Sequence, residues 1–499
     1  MAARLLDEAF EASRQCFESL VGFMGSDQAS ALSHGALEDH LASTGRALLR
    51  QLYQDHLDVR AWQEVPLTVG PVDAAGVARP SLETGHRRVL DTVFGEVTVK
   101  RIAYRAKGQA NLHVADAELN LPVERHSHGI RRLAAIEASR GSFEQAQEAV
   151  ERTTGQRVGK RQVEQLAQRA AVDFQEFYEM SPRQRTGVGD VVVLSADGKG
   201  IVMRPDALRR ATAAANASAK LVTRLSKGEK RNRKRMAEVA SVYEVTPVPR
   251  TPLDIMAGDE SHDDDSPSPP KAKNKWLTAS VVDDAATVLA QLFDEAERRD
   301  PSHRRTWVAL VDGNNHQIDR IETESLERKV DVTVIIDFIH VLEYLWGAAW
   351  SFFNEGDNAA ERWVKDKANA VLEGKASTVA ASITRKATRL GLDTGERKNA
   401  DTCANYLLAK RNYLDYPTAL ERGWPIATGI IEGACRFLVK DRLDITGARW
   451  GLEGAEAVLK LRALRSNGDF ESYWNMHLDR ERQRVHESRY AGNVIPQAA

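Results

Sequence analysis

Three aspartates stand out by what precedes them. Val191-Val192-Val193-Leu194 leads to Asp197, Val308-Ala309-Leu310-Val311 to Asp312, and Val334-Ile335-Ile336 to Asp337. Gly198 and Gly200 follow the first, and Gly313-Asn314 the second. A carboxylate at the end of a buried strand is held rigidly and left accessible. Hard divalent cations such as Mg²⁺ bind carboxylate oxygens and keep several waters. A two-metal site needs acids converging on ions about 3.5–4 Å apart. Neighbouring strands lie about 4.7–4.9 Å apart, so acids on adjacent strands can share such ions. Any one of these residues is an ordinary turn residue or helix cap; the repeated pattern is the signal. The chain has none of the DxDxT or DxGxT arrangements that phosphoenzyme or sugar-kinase chemistry favours.

The elements that must position these acids follow from periodicity. Residues 191–203 read as a strand, a short turn and a second strand, residues 237–245 as a third, and residues 306–312 and 332–337 as two more. Helices are expected over residues 283–299 and 317–328. The order β-β-β-α-β-α-β predicts a mixed sheet with helices. Residues 348–422 read as all helical, as do residues 428–474. Ahead of the sheet, residues 1–60 read as amphipathic helices and residues 87–106 as a β-hairpin broken at Phe94-Gly95. Residues 142–171 follow, with Ser142 and Gln145 spaced as a capping box. Gly155 stops that helix, and Lys160-Arg161-Gln162 opens the next. Helix, glycine turn and helix with a basic start is the helix-turn-helix pattern, which would put Lys160, Arg161 and Gln162 at base edges in a major groove.

The 499 residues carry 69 Lys+Arg against 71 Asp+Glu, a net charge of −2, so overall charge does not announce a polyanion binder. The apolar share of 42% excludes a disordered chain. The charges are nevertheless segregated. Residues 220–235 hold eight basic residues, including Lys230, Arg231, Arg233, Lys234 and Arg235, against Glu229 alone, a net of about +7. Residues 254–265 hold six acids and no Lys or Arg, and a Ser/Pro loop follows. The basic island reads as a phosphate contact without sequence preference. Cys16, Cys403 and Cys435 are far apart, which argues against a disulfide framework or a structural zinc site and fits a reducing, cytoplasmic setting. No stretch reads as a membrane span or a signal peptide: Asp337, His340 and Glu343 interrupt the most apolar run, and Glu8 and Glu11 interrupt the first helix.

Seven blocks, in order, resemble the DDE transposases, and most closely the Kra-four family of bacterial insertion sequences. They are RQVEQLAQRAAVDFQEFY, SADGKGI, EAERRDPSHRRTWVALVDGNNHQI, DFIHVLEYLW, TGIIEGACRFLVKDRL, TGARW and LKLRALRSNGDFESYW. The resemblance implies an α/β, ribonuclease-H-like mixed sheet interrupted by an all-helical insertion, with two Mg²⁺ (or Mn²⁺) ions held by two aspartates and a glutamate. Asp197 matches the first acid and Glu432 the last. The second is Asp312 or Asp337. In a ribonuclease-H-like sheet the first strand is flanked by the fourth, one spacing away, which favours Asp312. Asp337 and His340 then resemble a D-x2-H element, with contact to DNA near the cut as their expected accessory role. Trp450, in TGARW, is expected to pack near the site or stack on an unpaired base.

The expected organisation is a helical region with a hairpin over residues 1–106, a DNA-binding region over 107–185 and the first part of the catalytic core over 186–347. A helical insertion over 348–425 and the rest of the core over 426–499 complete it. The expected activity is metal-dependent cleavage at transposon ends and 3′-hydroxyl strand transfer. The partners would be terminal inverted repeats and target DNA, with a homo-oligomer holding two ends together and no membrane involved. The alternatives are a transposase-derived DNA-binding protein without catalysis and a nuclease of the same fold that cuts without joining.

Overall fold

The computed structural model describes residues 8–182, 187, 189–217, 231–256, 269–445 and 447–497. Most of the basic island, Lys230 included, and most of the acidic stretch lie outside them. The chain divides into two compact units, residues 1–179 with 468–499, and residues 180–467.

The first unit is built from helices α1 (Glu11–Met24) and α2 (His34–Gln63), the hairpin β1 (Ser81–Thr92) and β2 (Gly95–Arg105), and helices α3 (His128–Arg140), α4 (Phe143–Thr154) and α5 (Lys160–Arg169). The capping box at α4 is present. Ser142 Oγ accepts from Gln145 N at 3.1 Å, Gln145 Oε1 accepts from Ser142 N at 2.8 Å, and Gly155 closes the helix at φ +70°. The helix Phe470–Val485 belongs to this unit, whereas the sequence reading grouped residues 426–499 with the core. Tyr473, Trp474, His477 and Glu481 recur on one helical face and are buried. Their partners are local to the first unit: Tyr473 Oη donates to Ala170 O at 2.7 Å, His477 meets Asp173 at 2.6 Å, and Arg131 pairs with Glu481.

The second unit is a five-stranded mixed sheet of order β5-β4-β3-β6-β7 with helices on it. Its strands are β3 (Val191–Val202), β4 (Lys234–Val245), β5 (Ala272–Ser280), β6 (Trp307–Val311) and β7 (Val332–Ile336). β3, β4 and β5 run antiparallel, and β6 and β7 are parallel to β3. The element order is the expected one, but two of its members differ. β3 passes straight through Asp197-Gly198-Lys199-Gly200 without a turn. Its glycines answer a close approach: a Cβ on Gly198 would sit 3.0 Å from Met236 Cε, and one on Gly200 3.0 Å from Lys234 Cδ, both on β4. The third strand is β5, hidden in the sequence because Lys273, Asn274 and Lys275 interrupt its apolar pattern. Those exposed residues suit an edge strand, where charge discourages further pairing.

Helix α6 (Ala285–Arg299) packs on β3 and β4, and Phe293 meets Trp307 of β6 at 6.1 Å between ring centres. α7 (Asn315–Arg328) connects β6 to β7. A second core gathers Val191, Val193, Val308 and Leu310 with helices α8 (Phe338–Ala349), α9 (Asn358–Leu372), α10 (Ala376–Arg389) and α11 (Lys398–Ala409). Each fully buried Val or Leu there contributes about 1.5–3 kcal/mol relative to exposure. Beyond them, α12 (Gly429–Ala434) packs over β3 and β4 and continues into a π-helical turn, Cys435–Lys440. α13 (Leu452–Asn467) covers β5. Among the described residues no helix is long and apolar enough to cross a membrane.

Candidate active site

The register of the parallel strands aligns the acids. Ser195 pairs with Leu310, and Asp197 and Asp312 each lie two residues further on; Val311 pairs with Ile336, which brings Asp337 to the same level. Side chains alternate along a strand. Asp197 therefore shares a face of β3 with Val191 and Val193, which belong to one core cluster, and Asp312 directly follows the last residue of β6. Asp197 and Asp312 line a common cavity of about 400 Å³, together with Glu238, His316 and Gln317. Asp197 is consequently inside a strand, two positions beyond the last paired residues of β3 and β6, and not at a strand end as the sequence suggested.

Local hydrogen bonds hold the two acids. Asp197 Oδ1 accepts from Gly198 N at 2.6 Å, and its Oδ2 from the Cys435 thiol at 3.2 Å. Burial, and then Asp197 itself, push the Cys435 thiol far up, so it stays protonated and donates. Lys199, on the same face of β3, opposes that shift. Asp312 Oδ1 accepts from Asn314 N at 2.8 Å, and Tyr406 Oη donates to the Asp312 carbonyl at 3.1 Å. Gly313, at φ +92°, lets Tyr406 approach, since a Cβ there would lie 2.7 Å from its hydroxyl. Gln317 Nε2 donates to Ala196 O at 2.6 Å, tying α7 to β3 beside Asp197.

Asp337 has a different role. It is 1% exposed. Its Oδ1 accepts from Ile339 N at 2.8 Å and caps α8, while its Oδ2 accepts from Thr428 N at 3.2 Å and from the Thr428 hydroxyl. A side chain so enclosed does not reach DNA, which corrects the accessory role expected for it. His340 is about one-third exposed and lies 4.0 Å from Glu343. The open choice between Asp312 and Asp337 is thereby narrowed: of the two, only Asp312 lines the cavity with Asp197.

Glu432 is exposed on α12, three residues before Cys435. Its basic neighbour Arg436 pairs with Asp441 at 3.7 Å. Among the described residues, no three His, Cys, Asp or Glu side chains stand close enough to hold a metal ion as a group. Sequence reasoning missed Glu238, which pairs with Gly198 across β3 and β4 and lines the cavity. Burial raises its carboxyl above the ordinary value, Arg209 opposes, and Asp197 adds to the rise. The available signal was an acid flanked by apolar residues in Ala237-Glu238-Val239.

The residues expected to touch DNA divide. Lys160, Arg161 and Gln162 are exposed at the start of α5, although Gln162 Oε1 accepts from Gly159 N at 3.0 Å as a cap. Arg231 is exposed and Arg233 half-buried. Lys234 instead pairs with Asp444 at 3.1 Å, and Arg235 donates to the carbonyls of Val281, Ala207 and Val282. Both are committed to the fold and not offered to phosphates. Trp450 is 5% exposed, donates its indole N–H to Leu443 O at 3.0 Å and lies under Arg442 at 4.6 Å. That leaves no ring face for a base, so its role is packing beside β3, where Trp450 N donates to Val202 O at 3.2 Å. No protein-family model matches the chain. No curated protein matches it either.

Proposed function

We propose that the chain is a DDE-type DNA transposase that cuts transposon ends and joins the freed 3′-hydroxyl to target DNA. The observation that carries this reading is the level placement of Asp197 and Asp312 on adjacent parallel strands, both lining one cavity, with Glu432 on the helix packed over β3. The order β5-β4-β3-β6-β7, three antiparallel strands followed by two parallel ones, fits a ribonuclease-H-like sheet. Helices α9–α11 then fit the helical insertion that precedes the glutamate.

Carboxylate oxygens suit a hard divalent cation. Asp197 and Asp312 form no ion pair with any described basic side chain, which leaves their charge to an external partner. Asp197, Asp312 and Glu432 would hold two Mg²⁺ or Mn²⁺ ions. Such ions supply Lewis-acid activation of a water and then of a 3′-hydroxyl. Cys435 and Gly198 orient the Asp197 carboxylate, and Asn314 orients that of Asp312. In the first step water attacks phosphorus and the P–O3′ bond breaks, releasing a 3′-hydroxyl. In the second, that hydroxyl forms a new P–O bond in the target as a target P–O3′ bond breaks. One bond forms for each one broken, so no nucleotide cofactor is consumed. Lys160 and Arg161 are the candidates for end recognition.

The test uses the full chain and duplexes cut from the DNA flanking its gene. The expected products are 3′-hydroxyl ends and joined strands in Mg²⁺ or Mn²⁺, none with chelator, and none with Asp197→Asn. Specific binding without cleavage would favour the non-catalytic reading, and cleavage without joining the nuclease.

A further inference from the structure

Asp337 is bonded to the surroundings of two of the three acids. Its main-chain N–H donates to Val311 O at 2.8 Å, one residue before Asp312. Its side chain accepts from both the N–H and the hydroxyl of Thr428. The Thr428 carbonyl in turn accepts from Glu432 N at 3.2 Å and from Ile431 N at 2.9 Å, so Thr428 opens the helical turn that carries Glu432. A second strut runs beside the first, with Phe338 N donating to Ile426 O at 2.9 Å. An unbroken chain of hydrogen bonds thus leads from the end of β6, through Asp337, to the backbone of Glu432.

We infer that Asp337 is a positioning residue that fixes the Glu432 turn relative to Asp312. This rests on the function proposed above. The chemistry requires an aspartate. A carboxylate only accepts, on two oxygens, and Asp337 receives Ile339 N on one and two Thr428 donors on the other. Asparagine has a single acceptor oxygen, and its NH₂ would face either Ile339 N or Thr428 N, donor against donor. Burial makes the mismatch costly, because water cannot replace the lost bond. Catalytic carboxylates need placement to within about 0.5 Å, and outer partners of metal ligands typically alter metal affinity or activity by about 10–100-fold.

The variants to compare in the full chain are Asp337→Asn, Thr428→Val, Thr428→Ser and, as reference, Asp197→Asn. The first readout needs neither metal nor DNA: amide hydrogen exchange over residues 429–434. Faster exchange there is expected in Asp337→Asn and Thr428→Val, with exchange in β3 unchanged. The second is single-turnover cleavage across a Mg²⁺ titration. The same two variants should cleave about 10–100-fold more slowly and need more Mg²⁺ for half-maximal rate, with DNA affinity unaltered. Thr428→Ser, which keeps the hydroxyl, should behave as the parent. If Asp337→Asn does not fold, Thr428→Val decides. Unchanged exchange and an unchanged Mg²⁺ requirement in a folded variant, beside an inactive Asp197→Asn, would overturn the inference alone. Full cleavage by Asp197→Asn would overturn the functional reading beneath it.

Discussion

The two ends of the second unit's sheet treat their acids differently. At one end, Glu244 is 1% exposed and accepts from Arg305 Nη1 at 2.9 Å and from Asn274 Nδ2 at 2.8 Å. Asp300, nearby, accepts from the Trp307 indole at 3.0 Å and from the backbone of Arg304 and Arg305. At the other end, Asp197, Asp312 and Glu238 share a cavity, and none forms an ion pair with a described basic side chain. The protein supplies a cation, Arg305, to the first set, and gives Asp197 and Asp312 of the second only backbone and thiol donors. Buried or half-buried acids without a cation are costly. Where a fold tolerates them together, the compensating charge is expected from a ligand.

The largest break in this comparison should come from chemistry. Asp197→Asn, Asp312→Asn or Glu432→Gln should each lower strand cleavage by about 10³-fold or more, on the scale of several kcal/mol of lost charge stabilisation, while DNA binding stays near normal. Gel assays of cleavage and of binding on the same duplex check both halves; wild-type joining by Glu432→Gln would remove it from the site. The opposite end should respond in stability. Glu244→Ala strands the buried Arg305 and should cost about 3–5 kcal/mol in unfolding free energy, read as a lower denaturant midpoint.

A smaller effect is the response to the cation itself. Mg²⁺ at about 100 times its dissociation constant should stabilise the wild type by about 2.7 kcal/mol and leave Asp197→Asn unmoved, as thermal unfolding with and without metal would show. An equal shift in the variant would place the metal elsewhere. The smallest effect is in pH. Burial would raise the Asp300 carboxyl, but its indole and backbone donors hold it below the ordinary value. Its contribution is present above the unfolded carboxylate range and is lost as pH falls through the lowered value. Glu238 is raised, so its contribution runs the other way: protonation favours the fold, and that benefit is lost as pH rises through the raised value. Glu238→Gln should therefore raise the melting temperature slightly at neutral pH and not at pH 4, whereas Asp300→Asn should lower it at neutral pH.

Much of this was legible in the residues. The aliphatic runs before Asp312 and Asp337 are strands ending where expected, and the Ser142 capping box and the hairpin are present. The lysine-rich edge strand β5 was hidden because exposure at an edge erases the alternation that betrays a strand. Gly198 and Gly200 suggested a turn, yet they serve the side chains of β4, a neighbour that no local pattern announces. Arg235 and Lys234 looked like part of a phosphate-binding island. Their partners, Val281 and Asp444, lie 46 and 210 residues away.

Asp312 and Asp337 state the division most clearly. The sequence by itself determined that each is an aspartate between an aliphatic strand and a helix, able either to face a cavity or to cap the helix. At that range the two are equivalent, because strand propensity and capping act over only a few residues. Tertiary structure separated them. Thr428, 91 residues beyond Asp337, closes over its carboxylate. Register with β3 sets Asp312 level with Asp197, on the wall of the same cavity. The deciding contacts are between residues distant in the chain, and only packing brings them together.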